Sequence, residues 1–266
     1  MTQSSAKLIE KRIREIKQSE KIAFIPYITC WDPDLETTEK ILWELSKENP
    51  ACIELGFPFS DPVADGPTIQ KAIIRALKHK PSLSDFFSFV SYLKKKNFPV
   101  PILCMTYYNI IYRYNPEKVV EDALTHGVDG FIIPDLPIEE AKPWLTITRN
   151  SGLATVFLAT PASPDERIKK IAKVSKGFLY YVSVTGITGE RKNLPSELVD
   201  RLKRVKQLVK IPIGVGFGIS SPSHVKLLAP YTDAVIIGSA LVKLVENYGK
   251  EAPIKIKEFI QTLKQI

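Results

Sequence analysis

Eight short apolar runs, each followed by a stretch with helical spacing, constrain this chain more than any other feature of its sequence. The runs cover residues 22–29, 53–56, 102–107, 130–134, 154–158, 178–182, 212–215 and 234–237. Helical patterns follow at 35–48, 67–78, 116–126, 138–151, 164–175, 196–209 and 222–228, with closing helices after the last run. Near-continuous apolar strands suit a parallel sheet covered by helices on one face and filled on the other. Eight such units close a TIM barrel, which typically takes about 250 residues; this chain has 266. The expected fold is therefore a single α/β domain over residues 1–266, a (β/α)8 barrel. An amphipathic helix at 7–17 precedes it, and an extra helix at 82–96, N-capped by Ser82 or Ser84, follows the second unit.

Composition narrows the function classes. With 44% hydrophobic and 25% charged residues the sequence is that of an ordinary globular protein. No apolar run nears the ~20 residues that span a membrane, and residues 1–5 lack the apolar core of a signal peptide. The expected location is the cytoplasm, and Cys30, Cys52 and Cys104 read as buried free thiols. The net charge of +8 raises the question of nucleic acid. The basic runs at 167–176 and 201–210, however, carry Ile168, Ile171, Val174 and Leu202, Val205, Leu208 at helical spacing. They read as solvated outer faces of helices, with no aromatic platform for bases. Neither a nucleic-acid nor a membrane partner is expected; the charge favours an anionic substrate.

The stretch 53–70 concentrates the chemistry. Its strand carries a carboxylate, Glu54, where burial is costly unless the group is paired, hydrogen-bonded or protonated. A Gly- and Pro-rich loop follows with Asp61 and Asp65, and Gly66-Pro67-Thr68 opens a helix. Glu54 alone reads more readily as a strand-end residue tied to backbone donors than as an acid–base group. Three carboxylates around one stiff turn point to a site on the loops after the strands, where barrel enzymes work. Three later loops carry glycines: Gly186 and Gly189 after the sixth strand, Gly216 and Gly218 after the seventh, Gly238 with Ser239 after the eighth. Glycines beside a helix N-terminus make an anion site, and barrels build phosphate sites there. His79, His126 and His224 fall in helix patterns, no cluster has metal-ligand spacing, and no strand lysine offers a Schiff base. The expectation is carboxylate chemistry with no metal and no cofactor.

Glu54-Leu55-Gly56, Pro58-Phe59-Ser60-Asp61-Pro62 and Ala64-Asp65-Gly66-Pro67-Thr68-Ile69-Gln70 together resemble the signature of the tryptophan synthase alpha chain family. Phe24 to Tyr27, Gly127 to Pro137, Tyr180 to Gly189, Gly216 to Ile219 and Gly238 to Ala240 extend the resemblance along the chain. It implies a TIM barrel that cleaves indole-3-glycerol phosphate to indole and glyceraldehyde 3-phosphate, working with a beta chain in an alpha2beta2 heterotetramer. By the same resemblance Glu54 is the principal acid–base residue, Asp65 the second catalytic carboxylate, and Tyr180 the tyrosine that holds the glutamate. Gly189, Gly218, Gly238 and Ser239 match the phosphate cradle; Tyr27, Met105, Tyr107, Leu158 and Phe217 match the indole pocket.

Residue types fit that reaction. One carboxyl group, Glu54, can protonate the ring carbon and take the side-chain hydroxyl proton. Asp65, expected in a polar turn and ionised, accepts the ring N–H as positive charge develops. The segment 183–193 is expected to close over bound phosphate, Thr188 reaching toward the 53–70 loop. Pro58 and Asp61, on an exposed turn, are expected to dock the beta chain, against the alternative that Asp61 caps its own turn. Trp31, where the family usually has Gly, Ile110, where Pro is common, and Glu190, where Ala is usual, depart from the pattern. Two other readings stay open: an alpha chain that mainly activates its partner, and a free-standing lyase. An unrelated carboxylate-pair barrel such as a glycosidase is the remote third class.

Overall fold

The computed structural model describes residues 4–183, 197–216 and 218–265. Among them nine parallel strands form one sheet, in the order β5-β4-β3-β2-β1-β9-β8-β7-β6. These are β1 (Ala23–Thr29), β2 (Ile53–Gly56), β3 (Ile102–Met105), β4 (Gly130–Ile132), β5 (Ala154–Val156), β6 (Leu158–Ala159), β7 (Leu179–Val182), β8 (Ile213–Gly216) and β9 (Ala234–Ile237). The two outermost strands, β5 and β6, are parted by Phe157 alone, so the sheet's ends are one continuous chain and the barrel closes there. The fifth expected strand is thus split. Its first half pairs β4 and its second pairs β7, with the Tyr180 N–H donating to the Phe157 carbonyl at 3.2 Å.

Strand periodicity decides which side chains enter the barrel. Ile53 and Leu55 join the outer core beneath the helices, which leaves Glu54 and Gly56 facing inward. In β7 Leu179 and Tyr181 point outward, while Tyr180 and Val182 point in; β9 sends Ala234 and Ile236 inward likewise. The barrel's lower mouth is sealed by α1 (Ser5–Glu20). Its Ala6, Ile9, Ile13 and Ile16 cluster with the strand-start residues Ala23, Ala154 and Ala234, beneath Phe178 and Ile236. The opposite end is left for chemistry.

Helix ends follow local rules. Between α3 (Pro67–Leu77) and β3 lies the anticipated extra helix, α4 (Leu83–Lys95), started by a capping box in which Ser82 and Asp85 bond each other's backbone N–H groups. In α6 (Pro116–His126), Pro116 opens the helix and Gly127, at φ 79°, closes it.

One helix is additional, α5 (Tyr108–Tyr114), and one is shorter than the pattern suggested, α7 (Lys142–Thr148). Pro143 permits only a first-turn position, so residues 138–141 run through turns instead. The remaining helices are α2 (Leu35–Ser46), α8 (Asp165–Val174), α9 (Glu197–Leu208), α10 (Pro222–Leu228), α11 (Ser239–Tyr248) and α12 (Ala252–Leu263). None of the described helices is long and apolar enough to cross a membrane. Cys30, Cys52 and Cys104 are buried thiols.

Trp31 explains its own departure. Its φ of 64° lies in the left-handed region that favours glycine. The ring is buried edge-on against Phe57, with centroids 6.1 Å apart, and its backbone N–H donates to Thr38 Oγ1 at 3.1 Å.

Candidate active site

At the upper end of the barrel a cavity is bounded by Tyr27, Glu54, Asp65, Met105 and Tyr180, together with the backbone around Gly218 and Gly238. Its mixed apolar and polar lining is that of a small-molecule site. Two neighbouring pairs shape its walls. Tyr27 lies over Gly56 of the next strand, and Tyr180 over Gly216 of the next. A Cβ at Gly216 would sit 2.6 Å from the Tyr180 hydroxyl, and one at Gly56 2.8 Å from a Tyr27 ring carbon. Both rings need a neighbour with no side chain.

Glu54 is 1% exposed, and its Oε1 has no hydrogen-bond partner. Burial alone drives its pKa well above the usual carboxylate range. A neutral carboxylic acid facing a cavity is a proton donor in waiting. The Tyr180 hydroxyl shares this buried space, and burial first, then the charges of Glu54 and Asp65, push its own pKa up.

Asp65 corrects the expectation of a polar turn. It is 4% exposed, and burial raises its pKa to about 6, opposed by one hydrogen bond from Tyr107. The Tyr107 hydroxyl donates to Asp65 Oδ2 at 2.7 Å and accepts the Ala64 N–H at 3.0 Å. Tyr107 therefore grips the carboxylate loop from behind, its ring 5.2 Å from Phe59. Asp65 stays mostly ionised at neutral pH, with less margin than a solvated turn provides.

The glycine-marked end lies across the cavity. Gly238 precedes α11, no side chain caps that terminus, and Gly238, Ser239 and Ala240 all line the cavity. The first N–H groups of a helix have no partner within it, so they and the helix dipole face the opening. Gly218, at φ 84°, brings the loop after β8 alongside.

Among the sequence-derived candidates, Tyr27, Glu54, Asp65, Met105, Tyr180, Gly218, Gly238 and Ser239 line this one cavity. Tyr107 stands behind Asp65 instead, and half-buried Leu158, in register with Tyr180, packs on the inner barrel cluster as Met105 does, without lining this cavity. Thr188, Gly189 and Phe217, with Gly186, Glu190 and the anticipated 183–193 lid beyond Ser183, lie outside the described residues. Ile69, Ile219 and Ile236 line the cavity without having been singled out. Inward periodicity in β9 was the one available signal for Ile236.

The turn at 58–62 also differs from expectation. Pro58 is buried and Phe59 packs on Tyr107, so the exposed groups are Ser60, Asp61 and Val63, the last 77% exposed. Ser60 Oγ donates to Asp61 Oδ2 at 2.5 Å, and the Asp61 carboxylate stays exposed. The histidines keep away from the cavity: His79 bonds the Pro33 carbonyl, His126 stacks on Phe87, and His224 is buried in α10. Among the described residues no three His, Cys, Asp or Glu side chains gather closely enough to share a metal ion.

Residues 13–266 match the family model described as tryptophan synthase alpha chain. The alpha chain of Geotalea daltonii is 42% identical over 257 residues, covering 96% of this chain and 97% of that one. The alpha chain of Methanocaldococcus jannaschii is 44% identical, covering 92% and 86%. The solved alpha-subunit of Pyrococcus furiosus tryptophan synthase superposes with a TM-score of 0.84 at 41% identity, covering 92% of this chain and 98% of that one.

Proposed function

Because the chain belongs to the tryptophan synthase alpha chain family, we propose that its barrel cavity cleaves indole-3-glycerol phosphate, releasing indole and glyceraldehyde 3-phosphate. The protein is a carbon–carbon lyase of tryptophan biosynthesis. The observation that carries the site assignment is a buried Glu54, its Oε1 without a hydrogen-bond partner, in one cavity with Asp65 and the N-terminus of α11.

The substrate's phosphate sits at Gly238 and Ser239, with the Gly218 loop beside it, where free N–H groups meet an anion. Its indole ring lies among Tyr27, Met105 and Ile69, toward the two acids. Neutral Glu54 gives its proton to the ring carbon that bears the side chain. Positive charge then develops on the ring nitrogen, and ionised Asp65 accepts its N–H and stabilises that charge. The Glu54 carboxylate, now a base, takes the proton of the adjacent side-chain hydroxyl as the carbon–carbon bond breaks. Electrons flow back into the ring, so indole and the aldehyde leave without a cofactor. Tyr180 holds Glu54 in its two working orientations.

The reading extends to a cytoplasmic alpha2beta2 heterotetramer in which a beta chain consumes the indole and each chain activates the other. Exposed Asp61 supports a docking role for the 58–62 turn; buried Pro58 stiffens that turn rather than touching the partner. Purified protein given indole-3-glycerol phosphate tests the reading. Indole and glyceraldehyde 3-phosphate form in equal amounts, faster when a beta chain is added. No indole in either condition would refute the lyase assignment.

A further inference from the structure

Asp32 follows β1 and is 1% exposed, yet it carries a carboxylate. Its cost of burial is offset by Arg75 of α3, whose Nε donates to Oδ1 at 2.7 Å and Nη2 to Oδ2 at 2.8 Å. The third guanidinium nitrogen, Nη1, lies 3.5 Å from Glu246 Oε1 of α11. One planar group thus joins three elements: the loop after β1, α3 and α11.

Those are the elements that carry the two ends of the site. Helix α3 starts two residues after Asp65 and contributes Ile69 to the cavity; α11 starts at the proposed phosphate end. Between them, Ala72 and Ile73 pack on Val242 and Tyr27. Apolar contact is non-directional and leaves two helices free to slide. The fixed geometry of the bidentate fork anchors α3 to the loop after β1, and the single 3.5 Å contact of Nη1 with Glu246 carries that setting to α11.

We propose that Arg75 is a positioning residue for the lyase reaction, fixing α3 and α11 so that Asp65 and the phosphate-holding helix end keep one separation. The inference rests on the proposed lyase reading. Binding the phosphate alone needs only the α11 end, whereas turnover needs both ends in register. A displacement of about 1 Å costs around 10²-fold in rate.

Arg75→Lys keeps the charge and loses the fork; Asp32→Asn keeps the shape and removes the carboxylate, leaving half-buried Arg75 with Glu246. Both are assayed below their unfolding temperatures for kcat and KM with indole-3-glycerol phosphate, and for affinity toward inorganic phosphate. The expected result is a loss of kcat of about tenfold or more, with phosphate affinity within about twofold of the parent. Should Arg75→Lys fail to fold, Asp32→Asn alone decides the matter. Lowered unfolding temperature with parental kcat and KM would make the pair merely structural and overturn the proposal. Parallel losses of kcat and phosphate affinity would overturn it too, by placing the damage in α11. A parent protein that releases no indole would refute the lyase reading rather than this one.

Discussion

Glu54 and Asp65 are both carboxylic acids in one cavity, and their surroundings separate them. Glu54 has no partner at Oε1 and nothing to oppose burial; Asp65 has the Tyr107 hydroxyl. The proposed cleavage needs the first protonated and the second ionised, so activity is expected to fall as pH drops through about 6, where Asp65 takes up a proton. It falls again on the alkaline side as Glu54, its pKa raised by burial, loses its own proton. Tyr107→Phe removes the one interaction that holds the Asp65 pKa down, so the acid limb moves to higher pH. A kcat/KM profile of that variant checks this; an unmoved limb would mean that Asp65 does not set it. The carboxylates themselves were legible, because an acid inside an apolar strand is anomalous in any sequence. Asp65's burial was not, since it depends on Tyr107, 42 residues away along the chain.

Among the elements, those with their own start and stop signals were readable: α4 with its Ser82 box, α6 between Pro116 and Gly127, and the inward–outward alternation of the strands. Helix α5 was not. Its run of tyrosines and isoleucines lacks helical bias, and the Tyr108 N–H is taken by Asp135 from the loop after β4, a tertiary contact. Splitting of the fifth strand is likewise a consequence of barrel closure, which no local pattern records. The loop after β1 sets two effects against each other at Trp31. Left-handed backbone costs a non-glycine residue about 1–2 kcal/mol, whereas truncating a buried aromatic costs about 3–5 kcal/mol. Packing wins, so Trp31→Gly lowers stability by about 1–4 kcal/mol despite restoring the family's usual residue. Denaturant unfolding measures it, and a stabilised variant would show that backbone strain dominates.

Taken as a whole, the molecule closes its lower end with α1 and keeps its chemistry at the other, where loops from several strands meet. Exposed Asp61 sits on that working end, where the Ser60 hydroxyl donates to its carboxylate. Asp61→Ala is therefore expected to weaken mutual activation with a beta chain by about tenfold at most, a rim charge affecting encounter more than packing, while the isolated chain keeps its fold. Activation measured by indole release with and without the partner checks it, and unchanged activation would assign Asp61 to its turn alone. In the proposed mechanism one buried acid, Glu54, drives the whole cleavage. Glu54→Gln keeps the shape and removes the proton, and its rate of indole release from indole-3-glycerol phosphate is the direct measure. The expected result is a fall of about 10²–10⁴-fold in a folded protein whose affinity for inorganic phosphate is unchanged; near-parental indole release from that folded variant would contradict it.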